Sequence, residues 1–225
     1  MCRVRVKPAL SCQPTEAIFY FDGIAMKYVL LVACLLLAGC ATPSAPPARF
    51  DLGPLPATGL AASVLPALSV ATATSSPFLD NPHMVYRLIY ANSQQPQQFA
   101  NSRWTMAPAQ LIEQRLKARL GQAGNTVLAG SDGAINVPLL RLELDEFAQF
   151  FTTPTESIGR VTLRVAVFRG RLLLAQKSFT QQRPASSADA AGGAQALAEA
   201  SDELITEVIG WLATQSLTPL LPNKR

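Results

Sequence analysis

The run Leu36-Leu37-Ala38-Gly39-Cys40 constrains this chain more than any other stretch. It closes an apolar segment, Val29 to Ala38, that follows Met26-Lys27. A basic start, a short apolar run and small residues before a cysteine read as a bacterial lipoprotein signal peptide. Ala38 and Gly39 offer the small side chains that a signal peptidase pocket accepts. Cys40 offers the thiol that becomes an acylated N-terminus. About ten apolar residues are half of the roughly 20 needed to cross a bilayer, so the segment predicts export and lipid anchoring, not a transmembrane helix.

Met26 is the more natural start for such a leader, because it puts Lys27 directly before the apolar run. Residues 1–25 then read as an over-called start or an unusually long basic region of the leader, and residues 1–39 as a signal peptide to be set aside from the fold. Of the 225 residues, 186 follow the cleavage point, enough for one domain with its own core. The chain holds 19 basic and 15 acidic residues; four and two of these precede Cys40, leaving 15 and 13. No Lys/Arg run survives processing, which argues against a nucleic-acid partner. Cys2, Cys12 and Cys34 leave with the signal peptide, so the mature chain has no disulfide pair and its core must carry the stability alone.

Residues 40–48 form a flexible, proline-rich tether behind the lipidated cysteine. The residue after Cys40 is Ala41, not an acidic retention signal, so the anchor is expected on the periplasmic face of the outer membrane.

The folded domain is expected over residues 49–217, with a disordered tail at 218–225. Arg49 to Leu52 suits a short strand, and Ser63 to Thr74 a second one pushed to an edge or bulge by Pro66. Met84 to Tyr90 and Gln98 to Trp104 read as two strands around a polar loop, Ala91 to Gln97. Pro108 opens a helix to Leu120 whose apolar face is Leu111, Ile112, Leu116 and Leu120, with Glu113, Lys117 and Arg119 on the wet side. Leu140, Leu142 and Leu144 alternate with charged residues, as in a sheet with one buried face. Thr152 to Gly159 is expected as a connection. Val161, Leu163, Val165 and Val167 alternate likewise, and Arg169-Gly170 turns into a strand over Leu172 to Thr180, giving an antiparallel hairpin. Arg183 to Gly193 reads as loop. A last helix, Ala194 to Gln215, carries Leu197, Leu204, Val208 and Leu212 inward and Glu199, Asp202, Glu203 and Glu207 on a wet acidic face. These elements predict a single α+β domain: a mainly antiparallel sheet with two helices packed on one face.

Chemistry is sparse. The single histidine, His83, sits in a turn without a catalytic companion. There is no nucleophile elbow, zinc-protease helix or phosphate-binding loop. Glu143, Asp145 and Glu146 lie at positions expected to face water, and no cysteine remains to ligate a metal. The chain is not expected to be an enzyme or to hold a cofactor.

The order of features resembles the ABC-type transport auxiliary lipoproteins, also called PqiC-like. The lipobox is followed by a Phe-x-Leu strand, Tyr86-Arg87, Trp104 with Pro108, Leu142-x-Leu144-x-x-Phe147, and Trp211-Leu212-Ala213 in the last helix. The resemblance implies a periplasm-facing lipoprotein that works with an MCE-domain protein and, through it, an ABC permease and ATPase. Such a system moves phospholipids or other hydrophobic molecules between membranes, with this chain as docking or acceptor subunit. Assembly of several copies is compatible with that reading. Tyr86, Arg87 and Trp104 are the candidate partner contacts; alternatively, Tyr86 and Trp104 fill the seam between sheet and first helix, with Arg87 paired at the surface. Two other functions stay open: an envelope scaffold or assembly lipoprotein, and a periplasmic lipid carrier with a cavity of its own.

Overall fold

The computed structural model describes residues 27–28, 46–57 and 65–217. The expected signal peptide, Cys40, most of the tether and the 218–225 tail lie outside them.

Three long strands organise the domain: β7 (Leu139–Phe151), β8 (Ser157–Arg169) and β9 (Leu172–Pro184). They form an antiparallel meander in which β8 is the centre. In β8 every second residue, Val161, Leu163, Val165 and Val167, is fully buried. The residues between them stay half exposed. That alternation is why this stretch is a strand with one face on the core. The turn from β8 to β9 is Gly170-Arg171, with Gly170 at φ 57°, a conformation that favours glycine.

The other edge of β7 takes shorter strands in parallel: β2 (Leu68–Val70), β3 (Thr74–Ser75) and β4 (His83–Leu88). β4 returns antiparallel as β5 (Asn92–Trp104), β1 (Ala48–Phe50) lies parallel on the end of β5, and β6 (Val127–Ala129) on β2. The sheet is therefore mixed, its long pairings antiparallel and its short ones, apart from β4 with β5, parallel. The single strand expected over Ser63 to Thr74 is instead β2 and β3, with residues 58–64 outside the description. The ladder breaks between them because the Ala73 N–H donates to Glu113 Oε2 at 2.8 Å, leaving the sheet to cap a helix side chain.

Helix α1 (Pro108–Gln122) and helix α2 (Ala190–Ala213) pack on the same face of the sheet. Leu111, Ile112, Leu116 and Leu120 of α1 meet Leu197, Leu204, Val208 and Leu212 of α2 and the inward residues of β7 and β8 in one core. The α+β reading holds, with corrected boundaries. β5 begins at Asn92, so the expected loop at Ala91 to Gln97 is mostly strand. Its glutamines are polar because β5 lies near the sheet edge, its free side solvated. Ser157 to Gly159 belong to β8, not to a connection.

Helix α2 starts at Ala190, where Asp189 caps it by accepting the Gly192 N–H at 2.9 Å. Gly192-Gly193, expected in a loop, lie inside the helix. A Cβ on Gly192 would collide with the Ser187 backbone, so glycine there is a packing requirement, and one on Gly193 would displace the Gln149 side-chain amide.

Candidate partner-contact surface

Tyr86 and Arg87 are neighbours on β4 and therefore project to opposite faces of the sheet. Met84, two residues before Tyr86, enters the main core, whereas Val85, two before Arg87, joins a separate small cluster with Leu79, Ala148 and Phe150. The two candidates thus belong to different surfaces.

On the helix side, the Tyr86 ring lies 4.6 Å from Phe99 and 5.8 Å from Phe151. Its hydroxyl donates to Gln97 Oε1 at 2.7 Å. α1 and α2 lie over β7, β8 and β9, and at this end Tyr86, Leu88 and Phe99 stay half exposed. The adjoining turn exposes Ile89 and Tyr90. The β4–β5 hairpin therefore exposes aromatic and aliphatic side chains at one end of the sheet.

On the opposite face, Arg87 Nη1 donates to the Ser93 carbonyl at 3.1 Å. Arg87 borders a cleft of about 270 Å³ whose apolar wall is Phe78, Leu79, Val85 and Pro96. Glu146 lies at its rim, 3.8 Å from Arg160. Burial pushes the Glu146 carboxyl above its ordinary range, and the positive charges of Arg160 and Arg87 oppose that shift. Glu143 and Asp145 are exposed, as their alternation predicts, and Glu146 is half-buried; Arg164 contacts Glu143 at 3.1 Å and Asp145 at 2.9 Å. A cation spanning two carboxylates is a surface ion ladder, not an acid–base pair.

Trp104 is 1 % exposed. Its ring meets Phe147 edge-on at 5.2 Å, and its backbone N–H donates to the Pro82 carbonyl at 2.8 Å. It fills the space under the sheet where β5 hands over to α1. A partner reaches it only if that seam opens.

Two buried cations escaped the sequence reading. Arg119, expected on the wet side of α1, is buried, as is Arg115. Arg115 holds both carboxylate oxygens of Asp202 on α2 and the carbonyls of Gly53 and Pro54. Asp202 is therefore not part of a free acidic face, and neither are Glu203 and Glu207, which pair with Arg183 and Lys177. The available signal was position: Arg115 follows Leu111 by four and Ile112 by three, inside the apolar stripe. Among the described residues no cluster of His, Cys, Asp and Glu could hold a metal ion, and no helix is long and apolar enough to cross a membrane.

A family model described as the ABC-type transport auxiliary lipoprotein component matches residues 50–209. No curated protein matches the chain. Among solved structures, a protein from Xanthomonas campestris aligns with a TM-score of 0.58 and 22% identity, over 75% of this chain and 92% of that one. The crystal structure of an uncharacterized protein aligns with a TM-score of 0.60 and 12% identity, over 75% of this chain and 99% of the other. These two likenesses establish a shared fold.

Proposed function

The chain belongs to the family of ABC-type transport auxiliary lipoprotein components, and on that premise we propose that it is the docking or acceptor subunit of an MCE-type lipid-transport system. Cys40 is the acylated residue, and residues 40–48 tether the 49–217 domain to the periplasmic face of the outer membrane. Acyl chains contribute ~0.8 kcal/mol per buried CH₂, so several chains on one cysteine hold the domain permanently. The partner is an MCE-domain protein that carries phospholipid or another hydrophobic molecule, with the permease and ATPase beyond it.

The half-exposed patch of Tyr86, Leu88 and Phe99, continued by Ile89 and Tyr90, is the observation that carries this reading. Aromatic anchors at the centre of a patch supply most of an interface's energy, and here they lie on the β4–β5 hairpin, whereas the helices make their main sheet contacts with β7, β8 and β9. The space between helices and sheet is filled by Leu, Val and Phe side chains, which supports docking over storage of a lipid inside the domain.

The test is a gentle-detergent pull-down of the tagged, lipidated protein with mass spectrometry of bound proteins and lipids. Recovery of an MCE-domain protein, lost on Tyr86→Ala or Tyr90→Ala, supports the reading. Recovery of outer-membrane barrel proteins alone would replace it with a scaffold, and bound lipid without a protein partner with a carrier.

A further inference from the structure

We propose that the sheet end formed by the β8–β9 turn is a second membrane contact, resting on an anionic phospholipid bilayer through its own side chains. Leu139 pairs with Phe168 at this end, so the 133–138 segment arrives beside the Gly170-Arg171 turn. Ile135 on that segment is 87 % exposed, and Leu172 and Leu173 after the turn are 65 % and 47 % exposed. Among the described residues from 46 onward, Ile135 and Leu172 are the most exposed large apolar side chains. Single exposed apolar residues are ordinary, but three that converge on one end mark an interaction surface.

Charge identifies the occupant. Arg171 lies in the turn itself, and Arg141 stands two residues into β7 from Leu139, its guanidinium 4.6 Å from the Phe168 ring. Neither joins an ion pair among the described residues. The nearby Asp132 carboxylate is turned to the Ala129 N–H at 2.7 Å. Arg169 donates to the Leu217 carbonyl at 2.7 Å and fixes the chain's last described residue at this same end. Aliphatic tips flanked by unpaired arginines match a headgroup boundary, where the tips enter the acyl region and the cations meet phosphate.

The placement deepens the docking reading and rests on it for the second half of the picture. β4 runs parallel to β7, so the β4–β5 turn lies at the Phe151 end. A strand of 13 residues spans roughly 40 Å at ~3.3 Å per residue. With the arginine end on the membrane, the Tyr86–Tyr90 patch stands away from it, toward the periplasm.

The full lipidated chain is placed in vesicles of phosphatidylethanolamine with about one-third phosphatidylglycerol, or of phosphatidylcholine. Leu172→Cys supplies the free thiol for an environment-sensitive dye, and Thr155→Cys reports on the opposite end. The proposal expects a blue shift at position 172 in anionic vesicles, reversed by high salt, and none at 155. Arg141→Gln and Arg171→Gln each weaken surface contact about fivefold, the equivalent of ~1 kcal/mol per basic residue near an anionic surface. If the chain carries no acyl group, co-sedimentation of free protein with anionic but not zwitterionic vesicles reads the same surface. Equal emission at 172 in both vesicle types, or a shift at 155 instead, overturns the proposal. A concentration-dependent shift at 172 without vesicles also overturns it and assigns the end to a second copy of the chain. None of these readouts involves a transport partner, so failure here and failure of the docking reading are separable.

Discussion

Arg115 on α1 and Asp202 on α2 form a two-pronged ion pair, Nε to Oδ1 at 2.8 Å and Nη2 to Oδ2 at 2.6 Å. The remaining donors reach Gly53 and Pro54 at 2.7 and 2.9 Å, so one guanidinium ties both helices to the chain just beyond β1. Removing one partner of a buried pair costs about 3–5 kcal/mol because the other charge stays buried. Arg115→Met should therefore lower the melting temperature by about 10 °C, at ~2–4 °C per kcal/mol for a domain this size. Arg115→Met with Asp202→Leu should recover much of that loss. Thermal unfolding of the three variants decides it; a double variant worse than the single would show that the carbonyl contacts dominate.

Two glycines on or under α2 should respond in opposite directions to alanine. A Cβ on Gly159 would lie 2.7 Å from the Leu197 backbone nitrogen, whereas one on Gly210 has nothing within 4 Å. Gly210→Ala should add about 0.5–1 kcal/mol through helix propensity. Gly159→Ala must push α2 off the sheet and should cost about 1–3 kcal/mol, as overpacking does. Urea unfolding midpoints read both. Equal effects would mean that the close approach of β8 and α2 relaxes freely.

The long elements were legible because their periodicity was strong. Val161 to Val167 reads as a strand, and Leu111 to Leu120 as a helix, from spacing alone. The interval of three between Leu144 and Phe147, which breaks a strand's period of two, is now explained: a register shift between Leu144 and Glu146 leaves Asp145 as the extra residue and returns Phe147 to the core. β2 and β3 were not legible as separate strands, because their break depends on Glu113, forty residues away. Gly192-Gly193 looked like a loop because intrinsic propensity disfavours glycine in helices; contact with Ser187 and Gln149 overrides it. Of the candidate site, sequence marked Tyr86 and Arg87 but not their separation onto two faces, nor the burial of Trp104, which depends on how β5 meets α1.

Trp104 and Tyr86 should separate folding from recognition. Trp104→Ala removes a fully buried ring packed on Phe147 and should cost about 3–5 kcal/mol, so partner capture falls together with the melting temperature. Tyr86→Phe loses only the bond to Gln97, about 0.5–1.5 kcal/mol, and keeps the ring. Tyr90→Ala, in the exposed turn, should leave melting within ~0.5 kcal/mol of wild type while reducing capture of an MCE-domain protein. Unchanged capture by Tyr90→Ala and Tyr86→Ala would remove the hairpin patch from the interface.

Acid stability should carry two opposite contributions. At Asp189, the hydrogen bond from the Gly192 N–H, then that from the Ser187 hydroxyl, favour the carboxylate and hold its pKa below the ordinary 3.8. A group depressed in the folded state stabilises fully above its unfolded pKa and loses that contribution as pH falls through the folded value. Asp189→Asn keeps a cap acceptor but removes the titration, so its acid-unfolding limb should be shallower than wild type below about pH 4. Glu146 has the reverse sign: burial raises its pKa above 4.5, so its contribution is present below the ordinary value and lost as pH rises through the raised one. Its pairing with Arg160 at 3.8 Å is half exposed and offsets little. Glu146→Gln should therefore gain stability relative to wild type as pH climbs from about 4 to 6. Urea midpoints measured across that range check both signs, and a Glu146→Gln difference that shrinks with rising pH would show that Arg160 and Arg87 outweigh burial at that carboxyl.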